Sequence, residues 1–283
     1  MRFGFSRGLR PLLLSVALMS LSAPYALAGP PFFTDDPEPV EFRHYEFYTF
    51  STVDRASNGY GVAGPAFEFN MGAAPNLQLH IVVPMQLSAP NDGPKTFGVG
   101  DTEIGAKYRF VQEKGSRPQV GTFPMVEVPS GNADRGLGNG RVWFRLPIWV
   151  QKDLGHGWQS YGGGGYVVNP APGMRNHPFF GWQVQKEVNK KLTLGGEWFN
   201  PGRQSFNTSN THILNLGGLY NFNKDFSLLF TAGHSVQGES HTVVYLGLYW
   251  TWGKKGSEDA EKAKGTDGMS SLLRAVGRHS GLM

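Results

Sequence analysis

Between positions 77 and 87 an apolar residue recurs at every second position. Leu77, Leu79, Ile81, Val83, Met85 and Leu87 take one parity, and Gln78, His80 and Gln86 the other. Successive side chains of an extended strand point to opposite faces, so this period of two describes a strand with one apolar and one polar face. An apolar stripe of that length must be covered, either by a second sheet or by lipid. The rest of the chain decides which.

The pattern recurs. Over 98–110, Ile104, Ala106, Tyr108 and Phe110 oppose Asp101, Glu103, Lys107 and Arg109. Over 141–150, Val142, Phe144, Leu146, Ile148 and Val150 oppose Arg141, Trp143, Arg145 and Trp149. Strands of the same kind are expected over 179–188, 212–222 and 242–252, with weaker ones over 42–53, 62–71, 118–129, 158–169, 192–200 and 226–235. That makes about twelve strands, an even number, as single-chain outer-membrane barrels have. The connections also alternate. Longer ones fall near 54–61, 89–97, 130–139, 170–176 and 201–210, and shorter ones near 72–76, 111–117, 153–157, 189–191 and 223–225. The link 236–241 is short for its class. Long loops on one rim and tight turns on the other belong to a transmembrane barrel, with the tight turns periplasmic.

Composition agrees. Glycine (39 residues) and aromatics (13%) are both abundant, helix-forming runs are scarce, and cysteine is absent. An exported chain without disulfides is held together by other means, and a closed hydrogen-bonded sheet is one. Export is read from the first residues. Arg2, Arg7 and Arg10 precede an apolar run over 11–23, and Ala26-Leu27-Ala28 supplies a small-x-small cleavage pattern, placing cleavage after Ala28. The run is shorter than the roughly 20 residues a membrane-spanning helix needs. Loss of the three arginines takes the formal charge from +4 to +1. No basic stripe remains for nucleic acid.

The expectation is therefore an all-β protein: a transmembrane antiparallel up-and-down β-barrel of about twelve strands, preceded by a cleaved signal peptide. The organisation expected is a signal peptide over 1–28, an acidic, proline-stiffened periplasmic lead-in over 29–41, the barrel over 42–252 and a periplasmic tail over 253–283, with a short helix over 270–278. Tyr108, Phe110, Phe199, Phe222, Phe226, Trp250 and Trp252 lie near predicted rims, as aromatic girdles do. Pro84, Pro124 and Pro147 fall inside predicted strands, where each removes a ladder donor. They predict bulges or kinks, and a place where the wall opens laterally. Gly162, Gly163, Gly164 and Gly165 sit within a strand rather than before a helix, so a phosphate cradle is excluded and either a tight bend or room for a bulky neighbour inside the barrel is expected.

Charges on strands belong in the wet interior, because charge in lipid is costly. The candidate lumen-lining residues are Glu68, Asp101, Glu103, Lys107, Arg109, Arg141, Arg145 and Glu197. They form either a selectivity lining or a salt-bridge network that fills the barrel, and a twelve-strand lumen suits both.

Several segments resemble a known family. GPPFFTDDPEPVEFRHYEFYTFS at 29–51, GVGDTEIGAKYRF at 98–110 and VVYLGLYWTW at 243–252 are similar to the outer-membrane proteins catalogued as a phenol meta-cleavage-pathway degradation family, also labelled transporters. The resemblance implies uptake of hydrophobic or aromatic solutes and fixes no residue's role. The partners expected are outer-membrane lipids, a small-molecule solute and the barrel-assembly machinery. The chain continues past its last strand, which places the assembly signal internally at 249–252.

Two other functions stay open. A barrel hydrolase acting on envelope lipids needs a serine, a histidine and an orienting acid or amide together. The candidates are His212 and His234 with Ser205, Ser235 or Asn210, and no G-x-S-x-G elbow is present. A structural or sensing barrel has a filled lumen, and an inward fold of the loop over 130–139 is one way to plug it. No cofactor is implied. The eight histidines are scattered without H-x-x-x-H or H-E-x-x-H spacing, and the acidic run from Thr34 to Glu38 lacks calcium-loop spacing.

Overall fold

The computed structural model describes residues 31–253. The signal peptide expected over 1–28 and the tail from 254 onward, including the helix over 270–278, lie outside the described residues. The strands are β1 (His44–Ala56), β2 (Gly59–Ala74), β3 (Leu77–Pro90), β4 (Thr96–Val99), β5 (Thr102–Val111), β6 (Gln119–Thr122), β7 (Met125–Val128), β8 (Trp143–Gly155), β9 (Trp158–Val168), β10 (His177–Asn189), β11 (Leu192–Asn200), β12 (His212–Asn221), β13 (Phe226–Gln237) and β14 (His241–Gly253).

Consecutive strands pair antiparallel, except β4 with β5 and β6 with β7, and β14 returns to β1, from His44↔Gly253 to Ala56↔His241. Both β4 and β5 pair with β3, and both β6 and β7 pair with β5 and β8. Among the described residues the fourteen strands thus make twelve staves of one closed barrel. Closure leaves no edge, which matters in hydrocarbon, where each unpaired backbone group costs several kcal/mol.

Two of the twelve expected strands are divided. The one over 98–110 breaks at Gly100 and Asp101, and the one over 118–129 breaks at Phe123 and Pro124. Pro124 has no N–H to continue the ladder, as its position predicted. Beside Pro84 the pairing of β2 with β3 slips between Ala63 and Ala66. Pro147 interrupts less: it stays in register with Gly165, and Thr122 Oγ1 donates to its carbonyl at 2.6 Å. The expected long connection over 54–61 is instead a tight turn at Ser57 and Asn58, with β1 and β2 in register up to Ala56↔Gly59. Its polar and glycine residues are strand ends at the rim.

The alternation separates the two faces. On β3, Leu79, Ile81 and Val83 are exposed on the outside, while Gln78 and His80 are buried inside. The outside is apolar on every side of the barrel, through Phe67, Ile104, Phe144, Trp182, Leu214 and Leu246 among others. A soluble surface of this kind would aggregate, whereas in a bilayer it faces a matching solvent. Toward the rim where β1 begins and β14 ends, the outer aromatics meet in series: Tyr45 stacks on Trp252 at 5.9 Å, Phe47 tilts against Trp250 at 6.0 Å, and Phe226 stacks on Trp250 at 4.8 Å. Phe199, expected near a rim as part of a girdle, points inward and is fully buried. It shares parity with Glu197, so a lumen carboxylate at 197 places a lumen ring at 199.

Candidate functional site: the barrel interior

Residues 31–40 run through the barrel interior rather than hanging below it as a lead-in, and 41–43 are exposed just before β1. Phe32, Phe33, Thr34 and Asp35 are all buried. The segment has no strand partner, so its amides take acceptors from the wall. Glu197 on β11 accepts from the backbone N–H of Phe33 at 3.2 Å and from that of Thr34, and Gln78 on β3 accepts from Val40 N–H at 2.9 Å. Thr231 on β13 donates to the Pro31 carbonyl at 2.9 Å. The acidic run meets the basic side of the wall. Lys107 Nζ lies 2.8 Å from Asp35 Oδ1 and 3.5 Å from Asp36 Oδ1, and Arg109 lies 3.8 Å from Glu38. Wall glycines make the room. A Cβ at Gly181 would fall 2.1 Å from Thr34 Oγ1, inside any permitted contact.

The middle of the lumen is aromatic and apolar. Phe33, Phe50, Trp149, Phe179, Phe199 and Tyr245 belong to one buried cluster. Phe33 of the inserted segment lies 5.1 Å from Phe199, Phe50 stacks on Tyr245 at 5.3 Å, and Trp149 tilts against Phe179 at 6.1 Å. Gly163 of β9 is a seat for this layer: it has φ 153°, and the Trp149 ring would stand 3.1 Å from a Cβ placed there. On the outer face Trp182 closes over Gly162.

Nearer the termini the interior is polar and holds a cavity of about 320 Å³, lined by Asp35, Glu46, Tyr48, Glu68, His80 and Lys107 among others. His80 ties its wall together. Nδ1 lies 2.7 Å from Asn70 Oδ1, Nε2 lies 2.8 Å from Glu103 Oε1, and Asn70 donates to Glu68 at 2.8 Å. The His80 ring meets Phe123 edge-on at 5.1 Å, and Lys107 Nζ stands 5.1 Å from the centroid of the same ring.

The candidate lining residues divide accordingly. Glu68, Glu103, Lys107, Arg145 and Glu197 are buried in the interior, and Arg109 is half-buried beside Asn76 and Gln119. Arg145 sits 4.8 Å from the Phe179 ring centroid, where the ring's negative face attracts its guanidinium. Asp101 stands in the gap between β4 and β5. It accepts from the amides of Gly131 at 2.9 Å and Asn139 at 2.6 Å, and so anchors the loop over 129–142. That loop folds inward with Leu137 buried, as its length suggested. Arg141 is exposed on the same loop, two residues before β8, and is not a wall residue.

Sequence reading missed the inserted segment and one long-range cluster. At the rim away from the termini, His241 Nδ1 lies 3.0 Å from Asp54 Oδ1 across 187 positions. The run Pro31-Phe32-Phe33-Thr34-Asp35-Asp36 carried the only signal for the segment: paired rings followed by paired carboxylates, ahead of the first strand. The hydrolase candidates are not brought together. His212 stacks on Trp198 at 5.4 Å, His234 Nδ1 lies 2.9 Å from Thr242 Oγ1, and Ser205 Oγ meets Thr208 Oγ1 at 3.2 Å. Among the described residues no group of three or more His, Asp or Glu side chains is arranged to hold a metal ion.

A closed sheet with an apolar outside, an aromatic rim and a lumen of buried charges and rings defines a transmembrane β-barrel of the bacterial outer-membrane class. The chain belongs to the family described as "Putative MetA-pathway of phenol degradation", whose model matches residues 45–251. Solved structures share the fold at low identity. An outer membrane channel from Pseudomonas putida F1 superposes with a TM-score of 0.63 at 14% identity, covering 77% of this chain and 98% of that one. The KdgM porin gives 0.51 at 13% identity, covering 72% and 99%. No curated protein matches this chain in sequence.

Proposed function

We propose that this barrel passes small hydrophobic molecules, aromatic ones among them, across the outer membrane. The observation that carries the reading is the aromatic layer across the middle of the lumen. An aqueous pore is lined by polar groups that replace water around the solute, whereas rings at this level favour a solute that is itself apolar. The family's description in terms of phenol degradation points to the same solute class, and the two similar structures are named a channel and a porin rather than enzymes.

The segment over 31–40 stands in the direct path, so a route through the wall suits an apolar solute. Adjacent staves are interrupted at one place, the β2 slip between Ala63 and Ala66 opposite Pro84 and the gap at Gly100 and Asp101 beside it, while the gap at Phe123 and Pro124 lies further along, opposite Ala106. At the first place Gly100 N–H donates to the Pro84 carbonyl at 2.9 Å. The reading is tested in liposomes by comparing the flux of phenol or toluene with that of arabinose. Faster arabinose than aromatic flux would sink it. For the lateral route, the pair Pro84→Cys and Gly100→Cys is oxidised to lock the gap. Aromatic flux should fall on oxidation and return on reduction, and flux indifferent to the disulfide would leave only the axial path.

A further inference from the structure

We infer that His241 is the pin of a proton-operated clasp that holds the loop between β11 and β12 against the barrel rim. The clasp is independent of which solute the barrel carries.

Both ring nitrogens of His241 face carboxylates. Nδ1 lies 3.0 and 3.2 Å from the two oxygens of Asp54 on β1, and Nε2 lies 3.7 Å from Glu239 Oε2 on the link between β13 and β14. A neutral imidazole has one N–H and one lone pair. Only the imidazolium offers a proton to both acceptors at once. Asp54 and His241 are buried at the seam where the first and last strands close the barrel, while Glu239 is the more exposed partner.

Glu239 is also what ties the neighbouring loop. Its Oε1 accepts from Ser209 N–H at 3.0 Å, and its own N–H donates to Thr211 Oγ1 at 3.3 Å. Thr211 and Ser205 of that loop are buried, and Thr208, Ser209, Thr211, Glu239 and His241 line one small cleft. Around His241, β1 contributes Asp54, the β13–β14 link contributes Glu239, β13 contributes the neutral Ser235, and the loop contributes neutral hydroxyls. The nearby His234 is exposed on the opposite face, beside Thr242.

When the imidazolium loses its proton, one nitrogen turns a lone pair toward a carboxylate and the attraction becomes repulsion. Asp54 is buried in the seam and holds its place. Glu239, at the longer distance and nearer to water, lets go and takes Ser209 with it. The clasp is closed at low pH and opens as pH rises, within the range where histidine titrates.

The chain has no cysteine, so one reporter suffices. Asn207→Cys, on the exposed part of the loop, carries a nitroxide, and its spectrum is followed in bilayers from pH 5 to pH 9. The immobile component should dominate at low pH and be lost as pH rises. The step should vanish in His241→Gln and in Glu239→Gln, and persist in His212→Gln and in His177→Gln, which remove the histidines beside the two ends of the loop. A flat profile in the parent protein, or a step that survives either of the first two substitutions, overturns the clasp. If His241→Gln does not assemble, Glu239→Gln decides alone.

Discussion

Lys107 on the fifth strand and Asp35 on the inserted segment meet at 2.8 Å inside the barrel, 72 positions apart in the chain. Both side chains are buried, so each ion is the other's replacement for water. Removing one partner of such a pair leaves an uncompensated buried charge, at a cost of about 3–5 kcal/mol, while removing both together is far milder. Lys107→Met is therefore expected to lower the temperature at which the folded barrel unfolds and to raise single-channel conductance as the segment loosens. Adding Asp35→Asn should recover most of the stability but not the closed conductance. Equal stability of the single and double variants would show that the pair does not anchor the segment.

Glu197 is the other anchor, accepting from two consecutive backbone amides and from the Asn215 side chain. Charge-assisted bonds of this kind are worth about 1.5–3 kcal/mol each. Glu197→Ala should expose residues 31–40 to added protease in detergent while the strands remain protected. Unchanged cleavage of that segment would mean that Lys107 and the apolar contacts of Phe33 suffice.

Gly163 combines a backbone that L side chains rarely adopt with a wall that leaves no space. A Cβ there would fall 2.1 Å from the Ile148 carbonyl. Gly163→Val is expected to cost about 1–3 kcal/mol in backbone strain, with overpacking against Trp149 on top. The measurement is the heat-dependent shift in electrophoretic mobility that marks barrel unfolding. Gly155→Ala, at a turn with open space, is the comparison, and equal losses in the two would exclude the packing component at Gly163.

The two arginines near the start of the eighth strand should behave differently. Arg145 is buried among rings and carboxylates, whereas Arg141 stands on the exposed loop. Removing a buried positive charge changes the field in a low-dielectric lumen far more than removing a solvated one. Arg145→Ala should move reversal potentials toward cation selectivity, and Arg141→Ala should do so less and lose its effect at high salt. An equal shift in both would place the selectivity step at the outer mouth.

Much was legible in the sequence because period two is a local property. The apolar parity of 77–87 names the lipid face of that strand with no knowledge of its neighbours, and the same rule places Glu68, Glu103, Lys107, Arg145 and Glu197 inside. Applied strictly, it also places Phe199 inside, since Glu197 and Phe199 have the same parity. The prolines at 84 and 124 announced interruptions because a missing N–H is a property of the residue itself.

What the sequence could not decide was which distant groups meet. Period two says which way a side chain points but not what stands across the lumen, and a lumen is made of contacts between residues tens to hundreds of positions apart. Asp35 with Lys107, Asp54 with His241, and Phe33 with Phe199 are such contacts. An acidic, proline-rich stretch ahead of the first strand satisfies the same local rules in water as inside a barrel. Only the closed wall, with acceptors at Glu197 and Gln78 and a buried ammonium at Lys107, makes the interior the place where its amides and carboxylates are paired.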